Sequence, residues 1–289
     1  MPAIRYEAPA SIPEAIRLMQ SDPDATVMAG GTDLLVQFRA GLKRPSAFID
    51  IKRIPDLVRF SIDANGLKLG AAVSAAELGE SAEFRRLWPG IAEAAALIGS
   101  TQIQGRSSLG GNLCNASPAA DTPCSLIVNH AACVIAGPAG ERTVPVEQFI
   151  VAPGKTVLAH GEFLVAIHVP RPRPHAADAY LRLTPRSEMD IAVVGSAVSL
   201  TLDLDGVCTA ARVALAAVAP TPIVVPEAAA ALIGSRLDDE AMSRAAAAAS
   251  AAARPIDDKR GTIAYRRQIA GVLTRRAAAI ACGRVKGGY

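Results

Sequence analysis

Three observations predict an α+β protein in two parts. Short helix and strand signals alternate through the first 170 residues. Prolines at 170, 172 and 174 then interrupt the chain, since none can sit inside a helix or a central strand. Two β-rich runs and a long stretch of strong helix formers follow. At 289 residues the chain also exceeds the roughly 100–200 residues of one ordinary domain.

The elements follow in order from local chemistry. Ser11 is a helix cap, with Pro13 and Glu14 suited to the first turn, and the helix is expected to reach about Gln20. Residues 26–29 read as a strand feeding Gly30, Gly31 and Thr32. Residues 33–40 read as a brief helix or turn ended by Gly41, and 47–51 as another apolar strand. Asn65-Gly66 between residues 57–62 and 66–71 is a strong hairpin signal. Ser74 and Glu77 have capping-box form. Residues 88–98 predict a buried helix ending at Gly99. Residues 125–129, 133–136 and 143–146 predict small elements around Gly137-Pro138, and 163–169 an alternating strand that stops at Pro170. Residues 171–175 read as an interdomain linker. Beyond it, residues 192–204 and 208–218 read as β runs joined at Asp205-Gly206, and the alanine-dominated 226–253 as helix lying on a sheet. Residues 261–282 predict a basic amphipathic helix with Ile263, Ile269, Val272 and Leu273 among its apolar positions.

Composition excludes several functions. Thirty Lys+Arg against 27 Asp+Glu leave a net charge of +3, too small and too scattered to point to nucleic acid. No apolar run approaches the ~18–20 residues that cross a membrane, so no integral membrane segment is expected. The first residues lack signal-peptide order, and the five cysteines (Cys114, Cys124, Cys133, Cys208, Cys282) form no CxxC pair. A cytoplasmic protein with buried or partly buried thiols is expected.

Chemistry concentrates in two glycine-rich segments. Gly30-Gly31-Thr32 follows a strand. Paired glycines allow positive φ and a close ligand, and consecutive amides can cradle an anion such as a pyrophosphate. An ordinary strand-to-helix turn is the alternative. Residues 99–113 place Gly110-Gly111 after hydroxyl residues, with Asn112 adding amide donors and Asp121 standing downstream for ribose or amide groups. Two such loops could grip the two phosphates of one dinucleotide. Other nucleotide motifs are absent: there is no GxGxxG, and Phe149 stands where a Walker loop before Gly154-Lys155-Thr156 needs glycine. His130, His160, His168 and His175 fall at no ligand spacing and read as surface or satisfied histidines, and the cysteine spacings match no zinc or ferredoxin pattern; neither catalytic nor metal-binding residues are expected. Asn115-Ala116-Ser117 is a formal glycosylation sequon with no meaning in a cytoplasmic protein.

Residues 29–41 (AGGTDLLVQFRAG), 108–123 (SLGGNLCNASPAADTP), 180–192 (YLRLTPRSEMDIA) and 258–277 (DKRGTIAYRRQIAGVLTRRA) resemble, in that order, the FAD-binding medium subunits of molybdenum hydroxylases. That family includes the flavin subunits of xanthine dehydrogenase and aerobic carbon monoxide dehydrogenase. The resemblance spans essentially the whole chain. It implies a vanillyl-alcohol-oxidase (PCMH)-type FAD-binding domain of two α+β subdomains over 1–175, and a smaller C-terminal α+β domain over 176–289. It implies FAD contacts at Ala29, Gly30, Gly31, Thr32, Asp33, Leu34, Leu35 and Val36. Further contacts are implied at Thr101, Ser108, Leu109, Gly110, Gly111, Asn112, Cys114, Asp121, Leu164 and Arg182, with Leu113 and Cys114 near the ring. Arg182 replaces a lysine usual in xanthine dehydrogenases, and Cys114 a commoner aliphatic residue.

The implied partners are a small [2Fe-2S] subunit and a large molybdopterin subunit, in a dimer of heterotrimers. Electrons would reach FAD from the [2Fe-2S] clusters and leave for NAD+, a quinone or another acceptor. A cation at the ring, for which Arg182 is the candidate, would stabilise the reduced flavin. Residues 121–125 run on without the cluster-bearing insertion of benzoyl-CoA-reducing members. Thr32-Asp33 stands where carbon monoxide dehydrogenases usually carry His-Ser, which favours a xanthine, N-heterocycle or aldehyde dehydrogenase complex. The alternatives are a carbon monoxide dehydrogenase subunit, a self-contained flavoprotein oxidoreductase and a flavin-free scaffold.

Overall fold

The computed structural model describes residues 4–287. Residues 5–58 build a small parallel sheet. Arg5–Glu7 and Thr26–Met28 flank Ala47–Asp50, and both pair parallel to it. The two crossovers are the helices Ile12–Ser21 and Leu34–Arg39. Ser11 caps the first of these by accepting from the Glu14 amide, as its residue type predicts.

A five-stranded antiparallel sheet follows, in the order Phe60–Ile62, Gly66–Gly70, Phe163–Pro170, Ala132–Gly137, Gly140–Pro145. The Asn65-Gly66 turn closes its first hairpin, with Gly66 at φ +134. The central strand Phe163–Pro170 differs from the expected alternation because both of its faces are covered. Leu164, Ile167 and Val169 pack into a large helical core with Trp88, Ile91 and Leu113. Phe163, Val165 and Ala166 pack toward the parallel sheet with Ile49 and Ile51, helped by a bulge between Leu164 and Ala166.

The last sheet has the order Ala176–Leu183, Val194–Leu202, Cys208–Ala216, Ile223–Val224, all antiparallel. Its first strand is absent from the sequence reading. Prolines precede it and Asp178 and Arg182 interrupt its apolar pattern, yet eight residue pairs join it to the neighbouring strand. Residues 226–253 form two helices, Pro226–Leu232 and Asp239–Ala252, because Gly234 and Leu237 take positive φ between them.

The final helix, Ile263–Val285, departs from the amphipathic expectation, since Ile263 and Val272 face solvent. It is buried instead by small residues, Ala270, Ala277, Ala278 and Ala281. A Cβ on Gly271 would stand 2.7 Å from the Ala246 carbonyl, so glycine lets the two long helices cross closely. Arg266, expected on a solvated basic face, is buried. It donates to the carbonyls of Val193 (2.8 Å) and Ala217 (3.2 Å) and to Asp258 (2.6 Å). Arg266→Met leaves these acceptors unpaired, and a stability loss of about 3 kcal/mol is expected in urea unfolding. An unchanged midpoint would show that the pairing contributes nothing net.

Candidate functional site

A cavity of about 290 Å³ lies where the parallel sheet meets the helices before and after residue 108. The strand Thr26–Met28 delivers Ala29, Gly30, Gly31, Thr32 and Asp33 to one wall, and Leu34 begins the next helix. The amides of Gly30, Gly31, Thr32 and Asp33 have no acceptor among the described residues. Gly31, at φ +75, lets the chain turn there. Four successive N–H groups without partners along a cavity wall are the donor set a phosphate takes.

The opposite wall carries Ser108, Gly110, Gly111 and Asn112. These are not a loop, as the sequence suggested, but the start of a helix, Leu109–Asn115, whose cap is Ser108. The Ser108 hydroxyl accepts from the Gly111 amide at 3.0 Å, while the Leu109 and Gly110 amides precede the first intrahelical bond. Ser107, beside them, also lines the cavity, and its buried hydroxyl has no partner among the described residues. Unpaired donors on both walls fit a diphosphate-bearing cofactor, whose oxygens would satisfy them.

Packing, however, is why two of the glycines must be glycines. A Cβ at Gly30 would overlap the Arg106 carbonyl, and one at Gly110 would overlap the Ala71 backbone. The two glycine segments therefore touch each other through bare backbone. Gln37 reinforces the join by donating to the Asn115 side chain at 2.7 Å.

Of the residues named from sequence, Ala29, Gly30, Gly31, Thr32, Asp33, Leu34, Ser108, Gly110, Gly111, Asn112, Cys114 and Leu164 line the cavity together. Leu35, Val36, Thr101, Leu109, Asp121 and Arg182 do not. Val36 and Thr101 are exposed, and Leu109 is buried in the core below. Cys114 is solvent-exposed, against the expectation of a buried or partly buried thiol, whereas Cys124, Cys133, Cys208 and Cys282 are buried. All four histidines are exposed, and none is in the cavity lining.

Asp121 and Arg182 are buried together. Arg182 donates to one carboxylate oxygen of Asp121 and the Tyr180 hydroxyl to the other, each at 2.8 Å. Burial pushes the Asp121 carboxyl up to about 6, against the opposing pull of Arg182 and Tyr180. Gly195 leaves room for this phenol, since a Cβ there would stand 2.5 Å from the Tyr180 hydroxyl. Asp121 adjoins the cavity through its neighbour, as Thr122 donates to Asn112 Oδ1 at 2.6 Å.

Sequence reasoning missed Gln37, Lys43, Ser107, Asn115, Leu158 and Phe163 in the lining. Gln37 lies one helical turn from Leu34 and Asp33, a spacing that could have found it. Asn115 was visible only as a sequon.

Two family models match the chain. The FAD binding domain in molybdopterin dehydrogenase covers residues 2–172, and the CO dehydrogenase flavoprotein C-terminal domain covers residues 179–281. The chain is 34% identical over 277 residues to the carbon monoxide dehydrogenase medium chain of Hydrogenophaga pseudoflava, covering 96% of each. It is also 34% identical over 220 residues to a xanthine dehydrogenase FAD-binding subunit of Escherichia coli O157:H7, covering 75% of each. Among solved structures, a chain of carbon monoxide dehydrogenase from Hydrogenophaga pseudoflava superposes with a TM-score of 0.93 at 34% identity, over 98% of each chain. A chain of quinoline 2-oxidoreductase from Pseudomonas putida 86 gives a TM-score of 0.91 at 30% identity, over 99% of this chain and 98% of that one.

Proposed function

The chain belongs to the FAD-binding medium subunits of molybdenum hydroxylases, and from that premise we propose that it is the electron-transfer subunit of a xanthine, N-heterocycle or aldehyde dehydrogenase complex. It is a subunit of a molybdenum-containing oxidoreductase, and its cofactor is FAD. Among the described residues no helix is long and apolar enough to cross a membrane. The observation that carries the reading is that one cavity has, on both walls, amides without an acceptor among the described residues: Gly30 to Asp33 on one wall and Gly110, in the first turn of the Ser108-capped helix, on the other.

In this proposal the FAD-binding domain takes residues 1–175 and the C-terminal domain residues 176–289. The amides of Gly30 and Gly31 with the Thr32 hydroxyl, and the first turn around Ser108, Gly110 and Gly111, bind the pyrophosphate. Asp33, Leu34 and Asn112 flank it, and Leu164 and Cys114 border the ring system. Bound FAD supplies the exchange between one-electron and two-electron carriers. The chain's own residues bind and orient it, and exclude water behind it with the buried core of Leu109 and Leu113. Its partners are a small [2Fe-2S] subunit, which donates electrons, and a large molybdopterin subunit, in a cytoplasmic dimer of heterotrimers. The acceptor is NAD+, a quinone or another oxidant.

Thr32-Asp33 supports a heterocycle or aldehyde substrate, as a departure from the His-Ser of carbon monoxide dehydrogenases. Similarity to a carbon monoxide dehydrogenase medium chain along nearly the whole length favours the second reading, the carbon monoxide enzyme. Native purification followed by anaerobic addition of xanthine, an N-heterocycle, an aldehyde or carbon monoxide decides between them. Bleaching of the flavin band by one of the first three is expected, and bleaching by carbon monoxide alone moves the assignment to the second. Release of no FAD leaves the scaffold reading. Turnover of an organic substrate by this chain without partners supports a self-contained enzyme.

A further inference from the structure

Two cations stand behind the first glycine turn. Lys52 lies in the short turn Ile51–Arg53, directly after the strand Ala47–Asp50. Its Nζ donates to the Ala29 carbonyl at 2.6 Å and to Asp50 Oδ1 at 2.7 Å. Arg106 reaches over from the other glycine segment, and its Nε donates to the Gly30 carbonyl at 3.4 Å.

Lys52 is held from behind. Asp50 is buried, takes the Lys52 backbone amide on Oδ1 at 3.0 Å, and accepts the Tyr6 hydroxyl on Oδ2. Burial raises the Asp50 carboxyl, but the hydrogen bonds from Lys52 and Tyr6 outweigh it and keep it below the usual carboxylate range. A long flexible ammonium is thereby fixed on an ionised anchor instead of swinging in solvent.

The consequence follows from peptide geometry. In a trans peptide the C=O and the next N–H point to opposite sides of the chain, and the described residues contain no cis peptide bond. Drawing the Ala29 carbonyl toward Lys52 turns the Gly30 N–H the other way. Drawing the Gly30 carbonyl toward Arg106 does the same for the Gly31 N–H. Both amides lack an acceptor among the described residues, and both glycines line the cavity. A cation on a carbonyl also polarises the peptide and strengthens its N–H as a donor. Lys52 itself is not among the lining residues. Its effect on a ligand therefore passes through the peptide.

We propose that Lys52, clamped by Asp50 and Tyr6 and seconded by Arg106, is a positioning residue that presents the Gly30 and Gly31 amides to the pyrophosphate of FAD. This deepens the FAD assignment and rests on it. The benefit belongs to the diphosphate half of the ligand, so the ring half should not register its loss.

The test uses the native complex freed of flavin, titrated separately with FAD, ADP and riboflavin. Lys52→Met is expected to weaken FAD and ADP by about 10–100-fold, the value of a hydrogen bond to a charged group, and to leave riboflavin unchanged. Lys52→Arg should restore most of the loss, and Tyr6→Phe should cost a smaller, ADP-selective factor. Equal weakening of ADP and riboflavin would show general damage and overturn the proposal, as would wild-type ADP affinity in Lys52→Met. Where Lys52→Met fails to fold, Arg106→Met and Tyr6→Phe carry the same ADP-against-riboflavin comparison. A wild-type complex that binds neither FAD nor ADP would instead defeat the FAD assignment itself.

Discussion

Gly30→Ala is expected to unfold or severely weaken the chain even when no flavin is bound, by roughly 3 kcal/mol or more. The added Cβ would overlap the Arg106 carbonyl, which is backbone and cannot turn aside. Relief requires parting the two glycine segments at their contact. That would open the cavity between the unpaired amides and the Ser108-capped helix. Gly110→Ala meets the Ala71 backbone in the same way and should behave alike. Gly111→Ala should not, because its Cβ would meet only the Ser108 hydroxyl at 3.2 Å, and alanine is the better helix former. Urea unfolding of the flavin-free proteins, with flavin-to-protein ratios of the native complexes, checks the pattern. Should all three glycines be neutral without flavin and matter only with it, they are kept for the ligand and the packing account fails.

Arg182→Met is the second large effect, expected to cost about 3–5 kcal/mol at pH 8, because Asp121 would remain buried without its cation. The pH dependence separates this from a packing defect. Asp121 has a folded value of about 6 against an ordinary value of 3.8, so the folded state holds the proton more tightly than the unfolded one. Its contribution is therefore greatest below about pH 4 and falls as pH rises through 6, by on the order of 3 kcal/mol. Buried Asp178, also pushed up to about 6 by burial, adds to the same fall. Without Arg182 the Asp121 value rises further and the fall extends to higher pH. Arg182→Met should then lie closer to wild type at pH 5 than at pH 8, and adding Asp121→Asn should remove the difference. A loss equal at both pH values would mean that the ion pair is not its source. The reduction potential of bound FAD in Arg182→Met asks a separate question. A shift would place the guanidinium in the flavin's field, and an unchanged potential would confine it to neutralising Asp121.

Much of the fold was legible because its signals are local. Ser11 and Ser74 each accept an amide three residues on, and Asn65-Gly66 closes a hairpin. Failures came where a distant partner overrode the local pattern. The strand Ala176–Leu183 carries a broken pattern because Asp178 is buried against Gly90 and Asn129, and Arg182 against Asp121. In the last helix, small residues serve a close crossing that no apolar stripe announces.

The sequence by itself determined the two segments that carry the glycines, since these reside in residue types at short fixed spacing, and the resemblance of its four ordered motifs supplied the family and the cofactor. Only the tertiary structure decided what each residue is for. It set Gly30 against Arg106 and Gly110 against Ala71, and paired Arg182 with Asp121 across 61 positions of chain. It also put Lys52 behind a carbonyl 23 residues away. The physical reason is that burial and hydrogen-bond direction are properties of neighbours in space. A side chain's charge is written in the chain, but the group that it must satisfy is chosen when the sheets and helices close over it.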